Sequence, residues 1–121
     1  MKQTQQLINE LMVALVREGC IDKCPYGSNE DFLYACAMYG YLDSVEKLKI
    51  AGFDIHCNED LAFVFCCAYS GNMKIVKFFV EDGANIHARD DLAIFWAAEN
   101  GHLEVVKYLE GLGCKLKQQN N

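Results

Sequence analysis

Trp96-Ala-Ala-Glu-Asn-Gly-His-Leu-Glu-Val-Val-Lys-Tyr-Leu109 decides how this chain folds. It reads as the end of one helix, a turn at Gly101, and a second helix whose apolar residues Leu103, Val106 and Leu109 fall at helical spacing. The same frame occurs twice more upstream. Aligning Gly40, Gly71 and Gly101, which are 31 and 30 residues apart, places Leu42, Met73 and Leu103 in one column, Val45, Val76 and Val106 in the next, and Leu48, Phe79 and Leu109 in a third. A second glycine column follows at Gly52, Gly83 and Gly113, and an apolar column at Ile55, Ile86 and Leu116. Self-similarity at this period is the signature of a repeat architecture, in which each unit buries its apolar face on its neighbours.

Ahead of each leading glycine stands a small pair, Cys36-Ala37, Cys67-Ala68 and Ala97-Ala98, which lets two helices approach closely. Asp31, Asp60 and Asp91 precede these stretches, where a carboxylate can accept from the free N–H groups of a helix start. The second glycine column is placed to end each second helix in the left-handed region. Each unit is therefore expected to run helix, glycine turn, helix, glycine stop. The boundaries are 29–57, 58–88 and 89–121, the last including a polar tail. Residues 1–28 carry one amphipathic stripe, Leu7, Ile8, Leu11, Met12 and Leu15, and are expected to form a lone capping helix and a loop.

Composition bounds the rest. A hydrophobic fraction of 52% in 121 residues suits one globular domain with a core. The net charge of −6 repels phosphate backbones, which speaks against nucleic acid as a general partner. The longest apolar run, Leu61 to Tyr69, is far short of the roughly 20 residues a membrane-spanning helix needs, so no membrane association is expected. The seven cysteines are odd in number and no secretory segment precedes them, a pattern that fits reduced thiols and a cytoplasmic location.

The 96–109 stretch, with Gly83-Ala-Asn-Ile-His-Ala88 before it, resembles the ankyrin repeat. The Asp-Asp-Leu-Ala opening at 90–93 and the 30-residue period are further similar to the short ankyrin repeats of giant DNA viruses of amoebae. The likeness covers about residues 29–117. It implies an all-α helix-turn-helix solenoid that binds another protein through its concave face, and a viral origin would imply action in the host-cell cytoplasm. The usual Thr-Pro-Leu-His opening is replaced by Asp31-Phe-Leu-Tyr34, Ala62-Phe-Val-Phe65 and Leu92-Ala-Ile-Phe95. About three residues of the usual inter-repeat hairpin are also missing. Truncated fingers with little or no β-strand are the expectation.

No phosphate loop, Gly-x-Gly-x-x-Gly turn, His-Glu-x-x-His pair or Gly-x-Ser-x-Gly elbow is present, so no catalytic residue and no cofactor are expected. His56 and His87 share a repeat column and His102 follows a turn glycine, which assigns them structural roles rather than metal ligation. Cys20, Cys24, His56 and Cys57 form the alternative, a Cys/His metal site, although their spacing is not a clean zinc motif. A stack without a dedicated partner is a further alternative. Phe63, Phe65, Phe78, Phe79, Phe95 and Trp96 are expected in the core or between repeats.

A partner surface is expected where residues vary within the shared frame. The two positions before each leading glycine are Met38-Tyr39, Tyr69-Ser70 and Glu99-Asn100. Tyr39 and Tyr69 are expected as neighbouring anchors, flanked by Glu59, Asp60, Asp90 and Asp91, a set that favours a protein partner with a basic patch. With so few repeats, the chain is expected to be a monomer or weakly self-associating.

Overall fold

The computed structural model describes residues 29–116. The expected capping helix and loop at 1–28, with Cys20 and Cys24, and the tail beyond Leu116 lie outside them.

Helix α1 spans Asn29–Met38, α2 Leu42–Ile50, α3 Cys57–Phe65, α4 Met73–Glu81, α5 Ala88–Glu99 and α6 Leu103–Gly111. A π-helical turn, Cys66–Ser70, continues α3. No strand occurs among the described residues, and the fold is the all-α helix-turn-helix stack expected. The first helices α1, α3 and α5 pack side by side as one layer, and the second helices α2, α4 and α6 form the other. Between the layers lie Phe32, Leu33, Leu48, Phe63, Phe79, Ile94 and Leu109, all removed from solvent. The small pairs do what their size permits. Cys36, Ala37, Cys67, Ala68 and Ala97 are fully buried where the two helices of each unit converge.

The second helices end as the glycine column requires. Gly83 has φ +98°, its N–H donates to the Val80 carbonyl at 3.0 Å, and the Ala84 N–H reaches back to the Phe79 carbonyl at 3.0 Å. Phe53 to Leu48 and Cys114 to Leu109 repeat the longer bond at the same distance. These bonds satisfy carbonyls that the last helical turn leaves open.

The helix starts differ from expectation. Asn58, Glu59 and Asp60 take φ of 55°, 56° and 58°, and Arg89, Asp90 and Asp91 take 56°, 60° and 63°, so a single left-handed turn precedes the right-handed part of α3 and of α5. Such a turn costs an L-residue roughly 1–2 kcal/mol per position, least for Asn and Asp. Each turn is closed by a backbone bond, Asp60 N–H to the His56 carbonyl at 3.1 Å and Asp91 N–H to the His87 carbonyl at 3.2 Å. Asp60 and Asp91 are therefore not N-caps. Their carboxylates turn sideways, to His56 and His87, and neither helix has a side-chain cap at its start. A side-chain cap does occur at α4, where the Asn72 side chain accepts from the Lys74 N–H at 2.9 Å.

The π-helical turn has a countable cause. Asp60 and Asp91 hold the same place in their units, yet Asp60 stands eleven residues before Gly71 and Asp91 ten before Gly101. The middle unit thus has one residue too many for the shared frame. It is absorbed by widening the last turn, with the Gly71 N–H donating to the Cys66 carbonyl at 3.1 Å and the Ser70 hydroxyl donating to the same carbonyl at 2.7 Å.

Candidate functional site

The first-helix layer carries an aromatic column. Tyr34, Phe65 and Trp96 are 31 residues apart and lie on α1, α3 and α5. Tyr34 meets Phe65 edge-on at 5.4 Å between centroids, and Phe65 stacks on Trp96 at 6.5 Å with 13° between planes. Tyr69, one turn beyond Phe65, touches both Phe65 (6.0 Å) and Trp96 (6.4 Å). These rings are half-buried, except Tyr69, which is 48% exposed. Phe63 and Phe79 are core residues as expected, whereas Phe65, Phe78, Phe95 and Trp96 keep part of their surface in solvent.

The residues expected to contact a partner are distributed unevenly. Tyr39 is 61% exposed, but its ring neighbour is Tyr41 at 5.9 Å, so the two expected anchors, Tyr39 and Tyr69, belong to different clusters. Met38 and Ser70 are half-buried, and the Ser70 hydroxyl also accepts from the Asn72 N–H at 3.1 Å. Glu59, Asp90, Glu99 and Asn100 are exposed. Asn100 ties two units together by donating to the Ala68 carbonyl at 2.8 Å and the Trp96 carbonyl at 3.1 Å. Asp60 is withdrawn from the surface: it is 7% exposed, with His56 on one oxygen and the Asn85 N–H on the other at 3.0 Å. Asp91 is half-buried against His87 at 2.6 Å.

Charge is segregated between the layers. The first helices and the π-helical turn hold Glu30, Asp31, Glu59, Asp60, Asp90, Asp91 and Glu99 against a single cation, Arg89. Arg89 is engaged locally, donating to the Asn58 carbonyl at 3.0 Å beside Glu59 at 3.7 Å. The second helices balance Lys47, Lys49, Lys74, Lys77 and Lys107 with an equal number of carboxylates.

The short loops between units are braced by a polar network. His56 Nδ1 lies 2.5 Å from Asp60, His56 Nε2 lies 2.9 Å from Asp82, and Lys49 pairs with the other Asp82 oxygen. Burial works against protonation of His56, but its bonds to Asp60 and Asp82 outweigh that and raise its pKa. Lys49, and then His56, hold Asp82 below the usual carboxylate range. The structural role expected for His56 is thus what its partners describe. His102 likewise lies directly against Gly71.

The donors His87, Asp91 and Cys114 come within 4.8 Å of one another. Their arrangement is poorly suited to a metal. Burial, with Asp91 nearby, pushes the Cys114 thiol up to about 11, and His87 Nδ1 already engages Asp91. The same His–Asp pair recurs at His56 and Asp60 without a cysteine, as a feature of the repeat. Of the cysteines in the described residues, Cys36, Cys66, Cys67 and Cys114 are buried and Cys57 half-buried, all as free thiols.

Paired helices, glycine stops and short loops recurring three times coincide with what a comparison of sequences finds: a family model of ankyrin repeats in three copies matches residues 32–120. The chain belongs to the ankyrin-repeat family. No curated protein and no solved structure matches it. Ankyrin repeats are generally protein–protein interaction modules and typically non-catalytic. Among the described residues, no helix is long and apolar enough to cross a membrane.

The aromatic column is the feature that the glycine alignment misses. In that alignment Trp96 falls beside Cys66 and Ala35, because Tyr34 and Phe65 each stand six residues before their glycine and Trp96 stands five. A scan for aromatics at a constant 31-residue spacing finds it.

Proposed function

We propose that this ankyrin stack is a non-catalytic binding module, monomeric or weakly self-associating, that engages a basic protein through its first-helix face, the concave side in ankyrin architecture. The observation that carries this is the coincidence, in one layer, of the half-exposed aromatic column with a sevenfold excess of carboxylates over arginine, while the lysines lie in the other layer. Aromatic rings supply contact area at low entropic cost, and a field of one sign selects partners of the other. The same surface would repel nucleic acid. The giant-virus resemblance of the repeats supports placing this activity in the cytoplasm, that of the infected host.

The test is capture from cytosol by wild type and by a Tyr39→Ala/Tyr69→Ala/Glu99→Lys variant of equal helicity, with Lys77→Glu on the opposite layer as control. A protein retained by wild type and by the control, but lost with the triple variant, is the expected result. Identical retention by all three would leave a stack without a dedicated partner on this face.

A further inference from the structure

The seam between the middle and third units opens into a cleft of about 330 Å3 lined by Tyr69, Phe95, Trp96, Glu99 and Asn100. Its walls are aromatic and its rim is anionic. Trp96 ends the ring column: its ring neighbours among the described residues, Phe65 and Tyr69, both come from the middle unit. The Asn100 amide N–H groups are already used on the Ala68 and Trp96 carbonyls, which leaves the side-chain oxygen as the group Asn100 can offer. Glu99 is exposed and makes no ion pair among the described residues.

A site of this composition is complementary to a cation, since ring faces are electron-rich and both polar groups on the rim are acceptors. Among the described residues of this layer the one cation, Arg89, stands at the opposite end of α5 and is held by Asn58 and Glu59. A cation brought by the partner is the occupant that the charge of the rim selects. Between the two cationic side chains, a guanidinium lies flat on an indole and presents a fork of donors that matches a carboxylate and a neighbouring amide oxygen, whereas an ammonium is a compact point charge that prefers water.

We infer that this cleft takes an arginine side chain of the basic partner, its guanidinium against Trp96 and Tyr69 and its N–H donors on Glu99 and the Asn100 oxygen. The inference rests on the binding-module proposal above and specifies what such a partner must present.

Trp96 is the only tryptophan, so its fluorescence reports on the cleft directly. The experiment titrates the folded full chain with capped Gly-Arg-Gly, with the citrulline tripeptide of equal shape and no charge, and with Gly-Lys-Gly. A saturable change in Trp96 emission is expected for the arginine peptide, about tenfold tighter than for citrulline and several-fold tighter than for lysine. Glu99→Gln, at an exposed position, should remove most of the difference between arginine and citrulline without changing the circular dichroism. Equal responses to arginine and citrulline, or a Glu99→Gln protein that still discriminates, would overturn the inference. Lysine binding as well as arginine would overturn the guanidinium assignment. If cytosolic capture still depends on the first-helix face while the peptides fail to discriminate, this inference falls and the binding module stands. Arginine selectivity with no captured protein would uphold the arginine cleft and overturn the binding of a cytosolic protein.

Discussion

The fingers entering α3 and α5 are built from the same pieces and end in different states. Both begin with a histidine, pass through a left-handed turn and close a His–Asp pair, His56–Asp60 at 2.5 Å and His87–Asp91 at 2.6 Å. In the first, the end of the middle unit supplies Asp82 to the far side of the imidazole and the Asn85 N–H to Asp60 of the same unit, and the histidine side chain is 27% exposed. In the second, Leu112 stands where Asp82 would be, the nearby group is the Cys114 thiol at 3.9 Å, and His87 is 54% exposed. The same local sequence becomes a locked joint only where the residue ahead of the glycine stop is a carboxylate, Asp82 instead of Leu112. In a stack, nearest-neighbour interfaces carry stability that no unit holds alone.

The largest effect should come from the turn glycines. A side chain at Gly71, where φ is +60°, would run into the His102 ring, whereas Gly101, at φ +78°, has open space. Gly71→Val should cost about 3 kcal/mol or more in denaturant unfolding, positive φ and overpacking together, and Gly101→Val about 1–2 kcal/mol from φ alone. Equal losses would mean that the His102 contact between units contributes nothing.

Next comes the joint itself. Asp60→Ala leaves the Asn85 N–H and His56 without their acceptor in a mostly buried setting and should cost about 2–3 kcal/mol, against about 1 kcal/mol or less for Asp91→Ala at the more open finger. The pair of variants, measured in the same denaturant series, breaks the comparison if the order reverses.

The smallest effect is the pH dependence of the locked joint. The raised pKa of His56 means that its contribution is complete below its ordinary value of about 6.5 and is lost as pH rises through the folded value. The lowered pKa of Asp82 means that its contribution is present above about 3.8 and is lost as pH falls through the folded value. Thermal stability should therefore be highest between these limits and decline as pH rises above about 6.5. In His56→Gln that alkaline decline should shrink. A wild-type Tm flat across this range would show that the imidazole does not carry its charge in the joint.

Several elements are legible without coordinates because they depend on local chemistry. Gly83 and its column need positive φ, and Val76 and Phe79 need an apolar partner wherever the helix sits. Asp60 and Asp91 escape the capping rule because an Asp before an apolar run is a good cap only if the backbone there is extended, and here it turns left-handed so that the carboxylate meets a histidine four residues back. Tyr39 and Tyr69 meet different rings: Tyr39 stands one residue before Gly40 and Tyr69 two before Gly71, a difference of about 100° around a helix, and Tyr69 lies against Trp96 while Tyr39 lies against Tyr41.

By itself the sequence determined the repeat, the pairing of helices and their stops, because each follows from spacing, backbone freedom or residue type. Only the tertiary structure decided which rings share a column, which histidine is locked and where a cleft opens. Those depend on the rotation of one helix against another across some 30 residues, and a single residue absorbed in the π-helical turn is enough to change it.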